Sequence, residues 1–363
     1  MDKLVILGGG YAGTLAAVRI ARHGHPVTLI DARDGMAERI RMHQAAAGDD
    51  IPLLNFSRLF RKLPVDVIRT RVESIDRQAK RIVTADGAVE YDKLIYALGS
   101  VQEKREHTLS VEDPCRVREQ LQHAKSVIVV GAGLTGIELA TEIAERHPHL
   151  HVTLVEGGSV GAALSGRAAR YLRETFEAMR ITLLEQTRVA GTVAGGIVLG
   201  NGETLHADVI LWCGSFRLSP IAAEAGLEVN GRGQIVVDEF LRSSDPSIWA
   251  AGDAAQLPDA RMGCVTAMAL GAYAADSVIG TTREPFRFAF GAMCISLGRH
   301  AGLIQLTHDD DSPRDTFISG RAGAWVKELI CRYTVLSIRL EAIGIPYNWP
   351  KGDLRWNDLT VTA

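Results

Sequence analysis

No two of the five cysteines, Cys115, Cys213, Cys264, Cys294 and Cys331, stand close together, and neither CxxC nor CxxxxC occurs in the 363-residue chain. A thiol pair built from neighbouring positions is therefore excluded, and an odd, dispersed set reads as reduced thiols in a cytoplasmic protein. Aromatic residues are few, at 6%. Basic residues are scattered, so no nucleic-acid surface is expected. Neither sign of charge dominates: 40 basic and 43 acidic residues leave a formal charge of -3. No run of about 18 apolar residues occurs, so no spanning helix is expected. The apolar stretch from Met1 to Ile20 is broken by glycines and by Asp2 and lacks a small-residue cleavage site, which argues against a secretory leader. Solenoid-type repeats are absent as well. What is present is a 47% hydrophobic composition, enough for two or three domains with their own cores.

Against that background two glycine-rich segments stand out. Gly8-Gly9-Gly10-Tyr11-Ala12-Gly13 follows the apolar strand Lys3 to Leu7 and opens a predicted helix to about Arg22. His23-Gly24-His25-Pro26 stops that helix, and the strand from Val27 ends in Asp31. Gly131-Ala132-Gly133-Leu134-Thr135-Gly136 repeats the plan between the strand Val127 to Val130 and a helix to about Arg146. The next strand, His151 to Val155, is closed by Glu156. Each acid lies about 20 residues past its loop, where it reaches ribose hydroxyls. The first glycine permits a tight turn, the second lets the backbone approach a pyrophosphate, and the third lets helix and strand pack closely. The helix N-terminus supplies free N–H groups and the positive dipole end. Two such units imply that two dinucleotides bind one chain. A carboxylate at Glu156 favours a free 2′-hydroxyl, hence NADH over NADPH, and the nearest basic residue beyond it is Arg167.

Between and after these units the pattern is of short strands. The stretch 64–89 reads as strands with turns, and Ile181 to Leu184, Gly196 to Leu199 and Val209 to Trp212 continue the second unit, with Asn201-Gly202 as a hairpin turn. From Ser243 the chain reads as returning to the first unit, and past Glu284 a separate C-terminal piece begins. Its predicted elements are strands Met293 to Leu297 and Leu303 to Leu306 and a helix Trp325 to Glu341. On that helix Trp325, Val326, Leu329, Ile330, Tyr333, Leu336 and Leu340 share a stripe, with Lys327, Glu328, Arg332 and Arg339 off it. The stripe reads either as a face for a membrane surface or a second copy of the chain, or as a core helix covering the first domain; the interleaved glutamates favour the latter. Trp349 and Trp356 in the tail also need a partner surface.

The chain resembles the two-dinucleotide flavoprotein superfamily, the pyridine nucleotide–disulfide reductase fold, over roughly residues 1–280. The resemblance rests on Tyr91-Asp92-Lys93-Leu94-Ile95-Tyr96-Ala97-Leu98-Gly99-Ser100, on Asp208 to Ser215, and on Ser247-Ile248-Trp249-Ala250-Ala251-Gly252-Asp253-Ala254-Ala255. It implies an α/β protein with two Rossmann-like three-layer dinucleotide-binding domains, for FAD and NADH, plus a small C-terminal α+β domain. The expected division is 1–108 and 241–284 for FAD, 109–240 for NAD(H), and 285–363 for the C-terminal domain. The FAD set implied is Gly8, Gly10, Tyr11, Ala12, Gly13, Asp31, Arg39, Val72, Ala97, Gly99, Gly252 and Asp253, with Asp253 on the ribityl chain and the Val72 backbone at the adenine. The NADH set is Gly131, Gly133, Gly136, Glu156 and Gly214.

Where the superfamily's disulfide members carry their redox cysteines, this chain has Arg39-Ile40-Arg41-Met42-His43-Gln44. The segment from Gly131 to Glu142 is similar instead to the type II NADH dehydrogenase group and its relatives resembling apoptosis-inducing factor. By that resemblance Glu138 faces the nicotinamide and flavin and relays a proton, against the plainer reading of a carboxylate that complements the helix dipole. His43 is the second catalytic candidate, and Arg39 or Arg41 could neutralise FAD phosphates; the plainer reading is a satisfied histidine beside solvated arginines. The group's quinone-site segment aligns with Cys264 to Gly271, where only the alanine and glycine spacing survives. No metal site is expected: His147, His149 and His151 read as a surface cluster and Asp309 to Asp311 as a solvated loop. Gly157 to Gly161 matches a nucleophile elbow only by accident of the second unit's turn.

The expected activity is hydride transfer from NADH through FAD to a quinone-like small molecule without a redox disulfide. The alternatives are a sulfide:quinone or ferredoxin-type reductase, or a redox-sensing flavoprotein with slow turnover. The expected place is cytoplasmic, with peripheral membrane contact at the inner face or homodimerisation through the C-terminal helix left open.

Overall fold

The computed structural model describes residues 2–258 and 260–353, so Trp356 lies outside the described residues. In chain order the elements that place the site are β1 (Leu4–Leu7), α1 (Tyr11–Arg22), β2 (Val27–Asp31), α2 (Met42–Ala47), β3 (Val65–Arg69), β4 (Lys93–Tyr96), β5 (Ser126–Val130), α3 (Leu134–Arg146), β6 (His151–Val155), β7 (Thr182–Leu184), β8 (Val209–Trp212), β9 (Ile248–Ala250), α4 (Cys264–Ile279), β10 (Ala292–Leu297), β11 (Ala301–Thr307), β12 (Pro313–Ser319) and α5 (Gly320–Ala342). They form a mixed α/β protein with parallel sheets.

One parallel sheet has the order β9-β4-β1-β2-β3, and a second the order β7-β6-β5-β8. Their inner strands are apolar without alternation, as strands covered on both faces must be; every residue of β1 is buried. In each sheet the helix that follows the glycine loop returns the chain to the neighbouring parallel strand. β9 arrives from far along the sequence and pairs with β4, so the chain does come back to the first sheet. Beside it α4 crosses α1 at very short range: a Cβ on Gly271 would lie 2.6 Å from the Ala12 Cα. The alanine and glycine spacing from Cys264 to Gly271 therefore has a packing cause.

The antiparallel sheet β10-β11-β12 carries α5. The third strand, β12, was not expected, because Pro313 and four exposed positions give it no apolar alternation. Met293, Ile295, Leu297 and Leu303 of this sheet join the core around the second parallel sheet, whereas Val335 and Ile338 of α5 join the core around the first. A buried polar clasp holds α5 down: Arg19 of α1 gives two hydrogen bonds to Glu341, at 3.0 and 2.9 Å, one to Asp276 and one to the Tyr347 carbonyl.

The face of α5 that packs inward is not the expected one. Cys331, Thr334, Val335, Ile338 and Glu341 are buried, and so is Lys327. Trp325 is 66% exposed, Leu329 45%, Tyr333 52% and Leu336 49%. The helix packs on the sheet β10-β11-β12 and on α1 through the other face, and most of the large apolar stripe is left uncovered. Trp349 packs on Phe286 and Tyr347 and donates its indole N–H to the Arg287 carbonyl. No helix among the described residues is long and apolar enough to cross a membrane.

Candidate active site

The two glycine loops are built alike at atomic detail. Gly8 has φ +95° and Gly131 φ +92°, a region closed to ordinary side chains. A Cβ on Gly8 would collide with the Ala97 carbonyl, and one on Gly131 would lie 2.7 Å from the Gly214 Cα. The pairs Ala97-Leu98 and Cys213-Gly214 thus stand at equivalent points of the two loops, the Ala97 amide bonding the Leu7 carbonyl as the Cys213 amide bonds that of Val130. Side chains on Gly13 and Gly136 would run into the carbonyls of Gly8 and Gly131. Gly10 and Gly133, by contrast, face open space, with no atom within 4 Å of a built Cβ. Each is the extended residue before its helix, with no side-chain cap on the first amides. The open faces above uncapped helix ends at Tyr11-Ala12-Gly13 and Leu134-Thr135-Gly136 fit two pyrophosphates.

The acids close the same pattern. Asp31 accepts the Gly9 amide at 2.6 Å and the Arg33 amide at 2.8 Å. Glu156 accepts the Ala132 amide at 2.6 Å and the Gly158 amide at 2.8 Å. Both carboxylates are thus fixed by the turn residue next to the first glycine of their loop. Arg167 lies over the Phe317 ring at 5.8 Å, so the nearest basic residue after Glu156 is engaged with an aromatic face. Thr70 donates its amide to the Asp31 carbonyl, which sets the Val72 strand beside the end of β2.

Over the first loop sits the 3₁₀ turn Gly252–Ala254. Gly252, at φ +72°, would bring a Cβ within 3.2 Å of the Ala12 Cβ. Asp253 accepts the Ser100 hydroxyl at 2.6 Å, next to the turn at Gly99. Arg39 donates to the Ser100 carbonyl and pairs with Glu112 at 3.1 Å, so it reaches this corner through Ser100. Arg41 is drawn away to Glu328 and Glu38.

The second assembly lies where α2, α3, β10 and α5 meet. Glu138 is buried and accepts the Lys327 ammonium at 2.7 Å and the Ser296 amide at 3.0 Å. Lys327 also donates to the Cys294 carbonyl at 3.0 Å. His43 puts Nδ1 3.4 Å from the second Glu138 oxygen, and Nε2 4.0 Å from Glu142, one turn further along α3. Burial alone would raise the Glu138 carboxyl, but the Lys327 charge overcomes it and holds the group below its ordinary value. Burial would likewise lower the Lys327 ammonium, and the Glu138 carboxylate holds it above the ordinary lysine range. Removing one partner of such a buried pair costs about 3–5 kcal/mol, because the other is left charged and dry. Burial lowers His43 to about 4, against the pull of Glu138, so the ring is neutral. Burial raises Glu142 to about 7.

The structure thus brings His43 and Glu138 together, from two segments far apart in sequence. It adds Lys327, Ser296 and Glu142, which no sequence motif marks as site residues. The signal for Lys327 was present: residues 327, 331, 334, 335, 338 and 341 follow helical spacing, and they form the buried face of α5. A cavity of about 270 Å³ reaches this junction, lined among others by Gln44, Ser296, Arg299, Trp325, Lys327 and Glu328. The cysteines are unpaired thiols. Burial raises Cys213 to about 12, Cys331 to about 11, and Cys264 and Cys294 above their ordinary values. A thiolate relay is therefore not prepared here.

Residues 2–271 match the protein family described as pyridine nucleotide-disulphide oxidoreductase. Ferroptosis suppressor protein 1 of Xenopus tropicalis is 24% identical, over 84% of this chain and 88% of its own. A type II NADH:quinone oxidoreductase of Staphylococcus aureus is 25% identical, over 93% of this chain and 96% of its own. Among solved structures, NDH2 from Plasmodium falciparum in complex with NADH superposes with a TM-score of 0.80, covering 96% of this chain and 100% of that one at 13% identity.

Proposed function

The chain belongs to the pyridine nucleotide-disulphide oxidoreductase family, and from that premise we propose an FAD-dependent enzyme that takes hydride from NADH and reduces a quinone or similar flat acceptor. The observation that carries this reading is the pair of matched glycine cradles, each closed by a carboxylate, with a buried junction on the helix that leaves the second cradle, where an ammonium and a neutral imidazole share one carboxylate. FAD belongs to the cradle at Gly8, Gly10 and Gly13, with Asp31 at its ribose and Asp253 at its ribityl chain. NADH belongs to the cradle at Gly131, Gly133 and Gly136, where Glu156 disfavours a 2′-phosphate. The division into FAD segments 1–108 and 241–284, an NADH segment 109–240 and a C-terminal segment 285–363 follows from that assignment.

When bound, the flavin supplies the two-electron exchange between nicotinamide and acceptor. The chain's own part is to align the rings and to hold charge beside them. Glu138 stays ionised and Lys327 stays protonated, so the pair presents a fixed ammonium donor at the junction. The type II NADH:quinone oxidoreductase relative supports a quinone as the acceptor. The cavity beside Trp325 and Lys327 gives such a molecule a way in, and the uncovered stripe of α5 suits peripheral contact with the inner face of a membrane.

Purified protein is expected to be yellow and to bleach when NADH is added without oxygen. An anaerobic screen then follows NADH loss against a short-chain benzoquinone, a dye and a ferredoxin. Turnover with the quinone is expected; colourless protein, or bleached protein that reoxidises only with ferredoxin, overturns the reading.

A further inference from the structure

His43 lies between two carboxylates of α3, Glu138 and Glu142, and its surroundings fix how it can act. Glu138 is ionised by Lys327, so the ring nitrogen facing it, Nδ1, carries the hydrogen. The neutral ring then presents a bare lone pair at Nε2. That atom and the facing Glu142 Oε2 are both buried and have no hydrogen-bond partner, 4.0 Å apart. Two unpaired buried polar atoms aimed at each other are costly unless they meet part of the time. A small rotation of either side chain closes the gap, and only a protonated Glu142 has a hydrogen to offer.

We propose that Glu142 and His43 form the proton entry to the Glu138–Lys327 pair. This rests on the quinone-like acceptor read above. Reduction of a quinone by NADH consumes two electrons and two protons; the hydride supplies both electrons and one proton, so one proton must come from water in each turnover. Glu142 takes it from the surface and gives it to Nε2, breaking its O–H bond as an N–H bond forms. The charged ring then swings, releases that same Nε2 proton to Glu138 and swings back, so Nδ1 keeps its hydrogen throughout and the starting tautomer is restored. The Glu138–Lys327 pair passes the proton to the acceptor oxygen.

The charged groups around the route fit a gate open to solvent at one end. Glu142 faces Arg299 from the β10–β11 turn, Asp49 beyond α2, and Glu145 and Arg146 on α3. Arg146 pairs with Asp49, and Glu145 accepts the Arg299 amide, all at the exposed edge. His43 faces Arg41, Arg299 and Lys327, which keep the ring from holding a second proton. Arg118, on the helix Pro114–His123 that packs on α2, is spent on the Ala45 and Asp49 carbonyls. Burial, with Asp49 and Glu145 adding to it, keeps Glu142 near the protonation balance that a donor at neutral pH needs.

Glu142 meets the Glu138–Lys327 pair through His43, so it acts as a positioning residue, and its test needs a readout that loss of packing would not move. The experiment compares wild-type holoenzyme with Glu142→Gln, following the NADH half-reaction and the reaction with a water-soluble benzoquinone across pH 5.5 to ~9. Difference infrared spectra of wild type over the same range follow carboxyl protonation, and nitrogen-15 resonances of the histidine rings follow His43. In wild type a buried carboxyl is expected to deprotonate near pH 7, with the His43 Nε2 signal moving in step and quinone reduction falling as it does. Glu142→Gln is expected to abolish that inflection and to slow quinone reduction on the order of tenfold, with the NADH half-reaction unchanged. Glu142→Asp is expected to restore the inflection. Retention of the wild-type pH profile in Glu142→Gln, or a His43 ring blind to the carboxyl in wild type, overturns the route. Failure of NADH to bleach the protein, or of benzoquinone to reoxidise it, overturns the acceptor assignment instead.

Discussion

At the residue scale the two glycine loops separate what a glycine does for the fold from what it does for a ligand. Gly136 is needed by the polypeptide itself, since any Cβ there strikes the Gly131 carbonyl. Gly133 is not: a methyl group would stand in open space at an ordinary extended backbone angle. Gly133→Ala should therefore leave the thermal midpoint of the ligand-free protein unchanged or slightly raised, because Ala fits and restricts the unfolded chain. It should weaken NADH binding, because the new methyl occupies the approach to the pyrophosphate. Gly136→Ala should destabilise the protein by about 1–3 kcal/mol through overpacking, with or without nucleotide. Scanning calorimetry and an NADH titration on both variants check the contrast; equal losses of stability would mean that the open face is not a ligand face.

At the element scale the sequence was read well where one period served one environment. α1 and α3 begin at the glycine loops and end at Arg22 and Arg146, as capping and stop signals predict. α5 was misread because its two faces compete. The stripe with the largest side chains is the exposed one, and the buried face is made of Cys331, Thr334, Val335, Ile338 and two charged residues, Lys327 and Glu341. Hydrophobicity cannot rank a face whose burial is secured by ion pairs with Glu138 and Arg19. On the proposed reading the exposed stripe is the surface that meets a membrane. Replacing Leu329, Tyr333 and Leu336 together by serine should leave the thermal midpoint within about 2 °C of wild type, since exposed substitutions cost little. The same variant should lose sedimentation with vesicles of anionic lipid. Undiminished vesicle binding would remove α5 from the membrane contact.

At the scale of the whole molecule, the sequence made the two nucleotide units legible because each is local: strand, loop, helix and acid lie within a short span. The junction was not legible for the opposite reason. His43, Glu138, Ser296 and Lys327 come from four separate segments, and only the folded chain shows that a ring and an ammonium share one carboxylate. That junction also sets how the molecule answers to pH. His43 in the folded protein sits at about 4, below its ordinary 6.5, so the unfolded chain binds the proton more readily. Its contribution to stability is complete above 6.5 and is lost as pH falls toward 4. Glu142 in the folded protein sits at about 7, above its ordinary 4.5, so the folded chain binds the proton more readily. Its contribution is complete below 4.5 and is lost as pH rises through 7. Each is worth on the order of 3 kcal/mol across its range. Between about pH 4.5 and 6.5 the two slopes oppose and cancel, so this pair leaves wild-type stability flat there. Glu142→Gln should expose the histidine slope, with stability relative to wild type rising from pH 4.5 to 6.5. His43→Asn should expose the carboxyl slope, with relative stability falling over the same range. Urea unfolding of the three proteins at closely spaced pH values measures both differences, and two variants that ran parallel to wild type would show that neither group changes its proton affinity on folding.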